Sequence, residues 1–152
     1  MEAGKQPAIR FSNVDLITLN FSVKGPLPEK ITSGISFHVE GHVSDDSRML
    51  DIFVEVDLFG KVPPESRPPI ELNFILHGRF TKASEDGMPL DEFAKHHAPA
   101  HLVPYARELI SNITSRSILP TFNLGPINVI AMIENGDASF ELNSVEKKSV
   151  EF

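Results

Sequence analysis

The chain has 152 residues, of which 41% are hydrophobic, and a formal net charge of −7. This length suits one domain, and the apolar fraction is typical of a globular protein rather than a disordered one. The acidic balance disfavours nucleic acid as a partner, because negative charges repel the phosphate backbone. The sequence contains no cysteine, which excludes disulfides, thiolate nucleophiles and Cys-type zinc sites.

The N-terminal segment, residues 1–13, has neither the apolar stretch nor the cleavage pattern of a signal peptide. No apolar run in the sequence approaches the ~20 residues that cross a bilayer. The sequence therefore predicts a cytoplasmic protein.

The first half of the chain has the alternating pattern of β-strands. Four segments, residues 9–23, 35–43, 50–59 and 70–80, are rich in β-branched and aromatic side chains. The connections between them are short or turn-like, and no helical pattern intervenes. The sequence therefore predicts a four-stranded antiparallel sheet with one buried face and one wetter face.

Helical periodicity appears only in the second half. Residues 90–95 predict a short helical turn, and a long helix over residues 102–117 places Pro104 in its first turn, where a missing N–H is harmless. Residues 129–133 predict a short second helix, which Gly136 ends. Strands followed by helices indicate an α+β domain.

The long helix carries more apolar side chains than one sheet-covering stripe requires. The predicted stripe consists of Leu102, Ala106, Leu109 and Ile113. Tyr105 and Ile110 remain outside it. Surplus apolar surface of this kind indicates either a subunit interface or binding groove, or a thicker core within one subunit.

No motif of a known catalytic site is present, so we expect no enzymatic activity. His96, His97 and His101 lie close together in the sequence. A metal site needs side chains that converge, and Pro99 interrupts the helical spacing that would bring His97 and His101 together. Solvated loop histidines are therefore the favoured interpretation, over an enzyme that uses this cluster.

Several carboxylates occupy outward positions on the predicted strands. They are Asp15, Glu40, Glu55, Asp57 and Glu71. Two interpretations remain: a solvated sheet face, or an acidic docking surface for a basic partner.

The stretch from His101 to Val129 resembles the helix-and-loop segment of the SecB family of export chaperones. The resemblance is carried by the run Pro104–Glu108, by Asn123-Leu124, and by Pro126 and Asn128 at the spacing Asn-Leu-x-Pro-x-Asn. Upstream, Gly78-Arg79-Phe80 lies at a family-like distance. This match covers about a fifth of the chain.

The resemblance implies a single SecB-like domain over residues 1–152, with a divergent tail at 137–152. It implies a four-stranded antiparallel sheet packed with a long helix and a second helix. It also implies a homotetramer, built as a dimer of dimers, with Tyr105, Leu109 and Ile113 at the helix interface.

The functional implication is an ATP-independent holdase that binds unfolded or precursor polypeptides without a cofactor and takes part in protein export. Its expected client-binding groove is lined by Leu27, Ile31, Ile118, Leu119, Phe122 and Leu124. Delivery to the SecA motor would use an acidic sheet face formed by Asp15, Glu55, Asp57 and Glu71.

The chain also departs from the family pattern. Asn73 stands where the family carries a SecA-contacting glutamate, Leu19 stands where a second acid is expected, and Gly136 shortens the second helix. A SecB-like chaperone for another client, such as an antitoxin, fits these departures. The alternative is a SecB-fold protein dedicated to one partner or to a small ligand.

Overall fold

A computed structural model describes residues 8–144 of the chain. Within this part the chain has an α+β fold of five strands, three α-helices and one 3-10 turn. The strands are β1 (Ile9–Val23), β2 (Ser36–Val43), β3 (Met49–Asp57), β4 (Ile70–Lys82) and β5 (Ser139–Ser144). The helices are α1 (Leu90–His96), α2 (Ala98–Ser115) and α3 (Val129–Asn135), and the 3-10 turn spans Pro64–Ser66.

The strands form one sheet in the order β1-β4-β3-β2-β5. The first four pair antiparallel, as the sequence predicted. β5 pairs parallel to β2, so the sheet is five-stranded and mixed, and the prediction of a four-stranded antiparallel sheet was wrong. The sequence signal of β5 was weak because only Phe140 and Leu142 of its six residues are apolar.

Side chains alternate between a covered face and an open face of the sheet. On the covered face, β3 buries Leu50, Ile52, Val54 and Val56. β4 buries Leu72, Phe74, Leu76 and Phe80 on the same side. The alternation predicted for these strands therefore corresponds to the observed core.

The helices lie on the covered face, and two glycines in the sheet allow them to approach closely. A β-carbon at Gly78 in β4 would lie 2.9 Å from Cδ1 of Leu102 in α2. A β-carbon at Gly41 in β2 would lie 3.6 Å from the β-carbon of Ala94 in α1. In the described part of the chain, no helix covers the opposite face.

The long helix α2 begins at Ala98, four residues before the predicted start. Pro104 consequently lies inside the helix, and the prediction that it occupies the first turn was wrong. Pro99 takes the first-turn position instead, where the missing N–H costs no helical hydrogen bond. No helix among residues 8–144 has the length and apolar character needed to cross a membrane.

The buried stripe of α2 differs from the predicted one after its first two residues. It continues through Ile110 and Thr114, both fully buried. Leu109 and Ile113 are only partly buried, on the neighbouring flank of the helix. Two stripes of similar apolarity run side by side along this helix, so periodicity alone did not separate them.

The short helix α3 begins at Val129 as predicted and continues two residues beyond the predicted end, to Asn135. The side-chain oxygen of Asn128 accepts a hydrogen bond from the backbone N–H of Ala131 at 3.0 Å and caps the N-terminus. Gly136 ends the helix in the left-handed region with φ 80°, a conformation that glycine adopts without strain. The chain then turns into β5.

Candidate functional site

A depression lies between the loop that joins β1 to β2 and the loop that joins β3 to β4. It has a volume of about 760 Å³, and we call it the proline groove. Its lining consists of residues 26–28, 30–34, 61–63 and 65–69. Five of these sixteen positions are proline, and three, Leu27, Ile31 and Val62, are partly buried apolar side chains.

Backbone hydrogen bonds tie the two loops together at both ends of the groove. At one end the N–H of Lys24 donates to the carbonyl of Pro69 at 2.7 Å. At the other, Gly34 donates to Leu58 at 3.0 Å and accepts from Lys61 at 2.7 Å. Proline restricts φ, so the walls lose little conformational freedom when a ligand binds. The groove is therefore preformed.

The structure separates the six predicted groove residues into two groups. Leu27 and Ile31 line the proline groove. Ile118, Phe122 and Leu124 lie on the segment between α2 and α3 and are not part of that lining. Ile118 is 73% exposed, whereas Phe122 and Leu124 are partly buried against the core.

Leu119 belongs to the core and is only 5% exposed. Its side chain therefore does not line an open surface of the isolated chain, in contrast to the expectation from the sequence. Apolar composition could not distinguish Leu119 from its neighbour Ile118, because the irregular segment after α2 has no fixed periodicity.

The segment after α2 is held to the helix by polar contacts of Thr114 and Arg107. The hydroxyl of Thr114, fully buried, donates to the carbonyl of Ile110 at 2.8 Å and accepts from the N–H of Phe122 at 2.9 Å. Arg107 Nε donates to the carbonyl of Leu124 at 3.1 Å. These bonds fix the backbone around Phe122, so Ile118 is presented from an ordered segment. Arg107 thus joins the helix to the segment that follows it.

The four carboxylates predicted as a docking surface all lie on the open face of the sheet. Asp15 is paired with His77, Glu55 with Ile75, Asp57 with Asn73 and Glu71 with Ser22 in the strand register. Paired residues share a face of the sheet. On β4, Glu71, Asn73, Ile75 and His77 alternate with the buried positions, so these four residues and their partners lie on the open face. Within the described chain, Glu71 forms an ion pair with Lys24 at 3.1 Å.

A network of oppositely charged side chains lies on the same face around Asp51, which sequence reasoning did not single out. Its carboxylate accepts from His77 Nε2 at 2.7 Å and from Arg79 Nε at 2.9 Å. Burial raises the pKa of Asp51, but the hydrogen bonds from Arg79 and His77 outweigh this effect and hold the pKa below its ordinary value. Asp51 in turn raises the pKa of Arg79. This part of the face is an internally compensated network.

Apolar side chains remain exposed on the flank of α2 and on β1. Tyr105 is 49% exposed, and Leu109 and Ile113 lie on the same flank of the helix. Leu16 and Leu19 pair with Leu76 and Phe74, so they lie on the covered side of the sheet, yet they are 47% and 41% exposed. The helices therefore leave the middle of β1 uncovered, although α2 contacts Phe11 near the start of the strand. The three predicted interface residues lie on this uncovered side.

The histidines do not form a metal site in residues 8–144, where no group of three or more potential ligands converges. The His101 ring packs against Phe11, Phe80 and Phe93, with centroids 5.4–5.9 Å apart. Its Nδ1 lies 3.1 Å from the carbonyl oxygen of His97. His101 is thus part of an aromatic cluster at the start of α2.

Sequence reasoning missed the second wall of the proline groove, which is formed by residues 61–69. The available signal was the concentration of prolines together with Lys61 and Arg67. On its own, this stretch predicts only a connection between two strands. The two walls meet because β1 and β4 are neighbours in the sheet, and that adjacency does not follow from local pattern.

Comparison with known proteins shows which fold the chain shares. No protein-family model matches the chain. The uncharacterized protein MJ0357 of Methanocaldococcus jannaschii is 28% identical over 156 aligned positions, which cover 99% of this chain and 98% of that protein. Among solved structures, the Rv1957 SecB-like chaperone of Mycobacterium tuberculosis, in complex with a ChAD peptide from the Rv1956 HigA1 antitoxin, matches with a TM-score of 0.65. That match has 17% sequence identity and covers 80% of this chain and 88% of the other. The chain therefore has a SecB-like fold.

Proposed function

We propose that the protein is an ATP-independent holdase chaperone of the cytoplasm that binds unfolded or incompletely folded polypeptides and performs no catalysis. The observation that carries the proposal is the preformed proline groove of about 760 Å³, whose apolar walls residues 8–144 leave unfilled. The SecB-like fold supports it, because a SecB-like chaperone of the same fold is seen with a bound peptide.

Binding of this kind needs no chemical step. An unfolded client offers scattered apolar side chains, and Leu27, Ile31 and Val62 provide partly buried apolar surface for them. Ile118 and Phe122 provide a second apolar area on the ordered segment after α2. Two separate areas suit a long flexible chain, because the second contact is intramolecular once the first has formed.

We also propose that the chain assembles into a homotetramer, a dimer of dimers, through the uncovered side of β1 and α2. Tyr105, Leu109 and Ile113 supply the helix part of the interface, and Leu16 and Leu19 supply the strand part. Apolar side chains on a continuous strand and helix face are the kind of surface that obligate interfaces bury.

The test is suppression of aggregation of a chemically unfolded protein, with the mass of the complex measured by light scattering in the same sample. Suppression near one chaperone oligomer per client supports the holdase function. A well-folded protein that leaves aggregation unchanged at several-fold excess would exclude general chaperoning.

A sharper prediction concerns Phe122. Phe122→Asp removes apolar contact area and places a charge beside it, so we expect about tenfold weaker binding of an unfolded client, corresponding to about 1.4 kcal/mol. Fluorescence anisotropy of a labelled, permanently unfolded client measures the affinity. Thr121→Asp is the matched control, because it adds the same charge at the neighbouring exposed position.

Circular dichroism and thermal unfolding of the Phe122→Asp variant accompany the binding measurement. If the variant unfolds, Phe122 is a core residue and its assignment to the client surface is wrong. In that case Ile118→Asp tests whether this segment binds clients, because a side chain that is 73% exposed tolerates a charge without unfolding of the protein.

The second candidate is a chaperone dedicated to one partner, such as an antitoxin, rather than one that serves export. Two observations favour it. Asn73 lies on the open face, where its Oδ1 accepts a hydrogen bond from Asn20 at 3.0 Å, and it adds no charge there. Leu19 lies on the covered side of the sheet and cannot contribute to the acidic face. Calorimetric titration with SecA separates the two candidates. A chaperone that serves export binds SecA, and Glu55→Lys weakens that binding, whereas a chaperone dedicated to another partner does not bind SecA.

A further inference from the structure

The proline groove differs from the rest of the molecule in its charge. The chain as a whole carries a net charge of −7. The groove lining contains Lys30, Lys61 and Arg67 as cations and Glu65 as its one acidic residue. The local balance is therefore positive. A positive apolar groove in an acidic protein attracts ligands that the remaining surface repels.

These cations are available to a ligand. Among the described residues, neither Lys30 nor Lys61 forms an ion pair. By contrast, Lys24 pairs with Glu71 at 3.1 Å and Arg79 pairs with Asp51 at 2.9 Å, both on the open sheet face. Of these four cations, the two in the groove lining are therefore those without an ion-pair partner in residues 8–144.

Arg67 is held in place without being neutralised. Its Nε donates to the carbonyl of Val62 at 3.1 Å, and its Nη2 donates to the carbonyl of Gly60 at 3.3 Å. Both partners are uncharged backbone groups of the same loop, and the remaining N–H donors of the guanidinium stay unused by these bonds. A positioned guanidinium with free donors is suited to a carboxylate.

The prolines limit how a peptide can be recognised here. Five of the sixteen lining residues have no backbone N–H, so the walls cannot supply a continuous row of donors for strand pairing. Selection in the groove therefore rests on side chains. Those side chains are apolar at Leu27, Ile31 and Val62 and cationic at their margin.

We propose that the proline groove selects client segments in which acidic side chains flank apolar ones. This inference rests on the proposed chaperone function and specifies its substrate class. Apolar client residues fill the space between the loops, and carboxylates of the same segment pair with Lys30, Lys61 and Arg67. Segments with basic flanks are disfavoured, because they place like charges beside these three cations.

The experiment compares three fluorescein-labelled peptides that share one apolar core and differ only in flanks of Asp/Glu, Asn/Gln or Lys/Arg. Anisotropy titrations use the full-length protein at low and at physiological salt. We expect the acidic-flanked peptide to bind about tenfold more tightly than the basic-flanked one at low salt. Added salt should reduce this ratio, because partly exposed ion pairs are screened.

The variant Lys30→Gln/Lys61→Gln should remove most of the discrimination while the uncharged peptide binds as before. The matched control is Lys82→Gln/Lys95→Gln, which removes the same charge outside the groove lining, breaks no ion pair among residues 8–144 and should leave the ratio unchanged. An equal loss of discrimination between the acidic-flanked and basic-flanked peptides in the control would overturn the proposal, because the discrimination would then arise from the net charge of the protein.

The remaining outcomes separate this inference from the proposed function. If all three peptides bind with equal affinity, the charge selection is wrong and the chaperone function stands. If no peptide binds, both fail. A single-stranded oligonucleotide that binds more tightly than the acidic-flanked peptide would overturn the inference in favour of a general polyanion site.

Discussion

At the residue scale, Asp51 is the most constrained acidic side chain of the open sheet face. It accepts hydrogen bonds from His77 and Arg79, and its pKa lies below the ordinary value as a result. A carboxyl whose pKa is lowered by folding stabilises the native state above its unfolded pKa, near 3.9 for Asp. That stabilisation is lost as the pH falls through the folded value.

We therefore expect Asp51→Asn to lower the free energy of unfolding by about 1–2 kcal/mol at neutral pH, because two charge-assisted hydrogen bonds are weakened. The difference from the native protein should stay constant between pH 5 and 8, on the scale of ordinary carboxyl titration, and shrink below about pH 4. Urea unfolding at a series of pH values measures it.

Glu55→Gln is the control for this change. Glu55 lies on the same strand and face, and it forms no ion pair within residues 8–144. Its substitution should alter stability by less than about 0.5 kcal/mol. An Asp51→Asn deficit that persists unchanged at pH 3 would contradict the assigned network.

At the element scale, β5 depends on a glycine in its neighbour. A β-carbon at Gly41 would lie 3.1 Å from Cδ1 of Leu142 and 3.2 Å from Cδ1 of Ile52. Leu142 is 40% exposed at the sheet edge, whereas Ile52 is fully buried. The added methyl group of Gly41→Ala is therefore expected to displace β5 rather than the β2–β3 pair.

The expected result for Gly41→Ala is about fivefold faster hydrogen exchange at the amides of β5, corresponding to about 1 kcal/mol of local stability. Amides that join β2 to β3 should keep their protection. Gly125→Ala serves as the control, because a β-carbon there meets nothing within 4 Å. Equally faster hydrogen exchange in β2, β3 and β5 would show that Gly41 supports the core of the sheet and not its edge.

The elements also show what local pattern could predict. Alternation in β3 and β4 identified the buried side chains correctly, because each strand is nine residues or longer and has one apolar face. The pattern failed for β5, where six largely polar residues depend on a partner that is far away in sequence. In α2 it placed the stripe on Leu109 and Ile113, because two apolar faces compete there.

At the scale of the whole molecule, the uncovered side of β1 and α2 governs self-association in our proposal. Tyr105→Glu places a charge in the middle of that surface, where the side chain is 49% exposed and its ring meets Phe11 edge-on. We expect the mass in solution to fall to that of a smaller species at micromolar concentration, because an unpaired charge would be desolvated in the interface.

Light scattering coupled to size-exclusion chromatography measures the mass. Ser115→Glu is the control, since it adds the same charge to an exposed position at the end of the same helix. If the Tyr105→Glu protein retains the native mass, the interface lies on another surface.

The candidate site shows the limit of prediction from sequence at this scale. Leu27 and Ile31 were identified, but the groove that they line also requires the loop between β3 and β4. Those two loops meet because β1 pairs with β4 across a separation of about fifty residues, as Asn20 and Asn73 do. Long-range pairing of this kind follows from the whole fold, and local periodicity contains no information about it.

The parallel pairing of β5 with β2 also has a consequence for biosynthesis. His38 and its partner Ser139 are separated by 101 positions. At a synthesis rate of about 5–20 residues per second, the edge of β2 remains unpaired for about 5–20 s after it has left the ribosome. An unpaired edge is a template for aggregation, and charged outward side chains oppose it. Glu40 on β2, which in the finished protein accepts a hydrogen bond from Asn143 at 3.2 Å, places a charge on that edge while β5 is still to be synthesised.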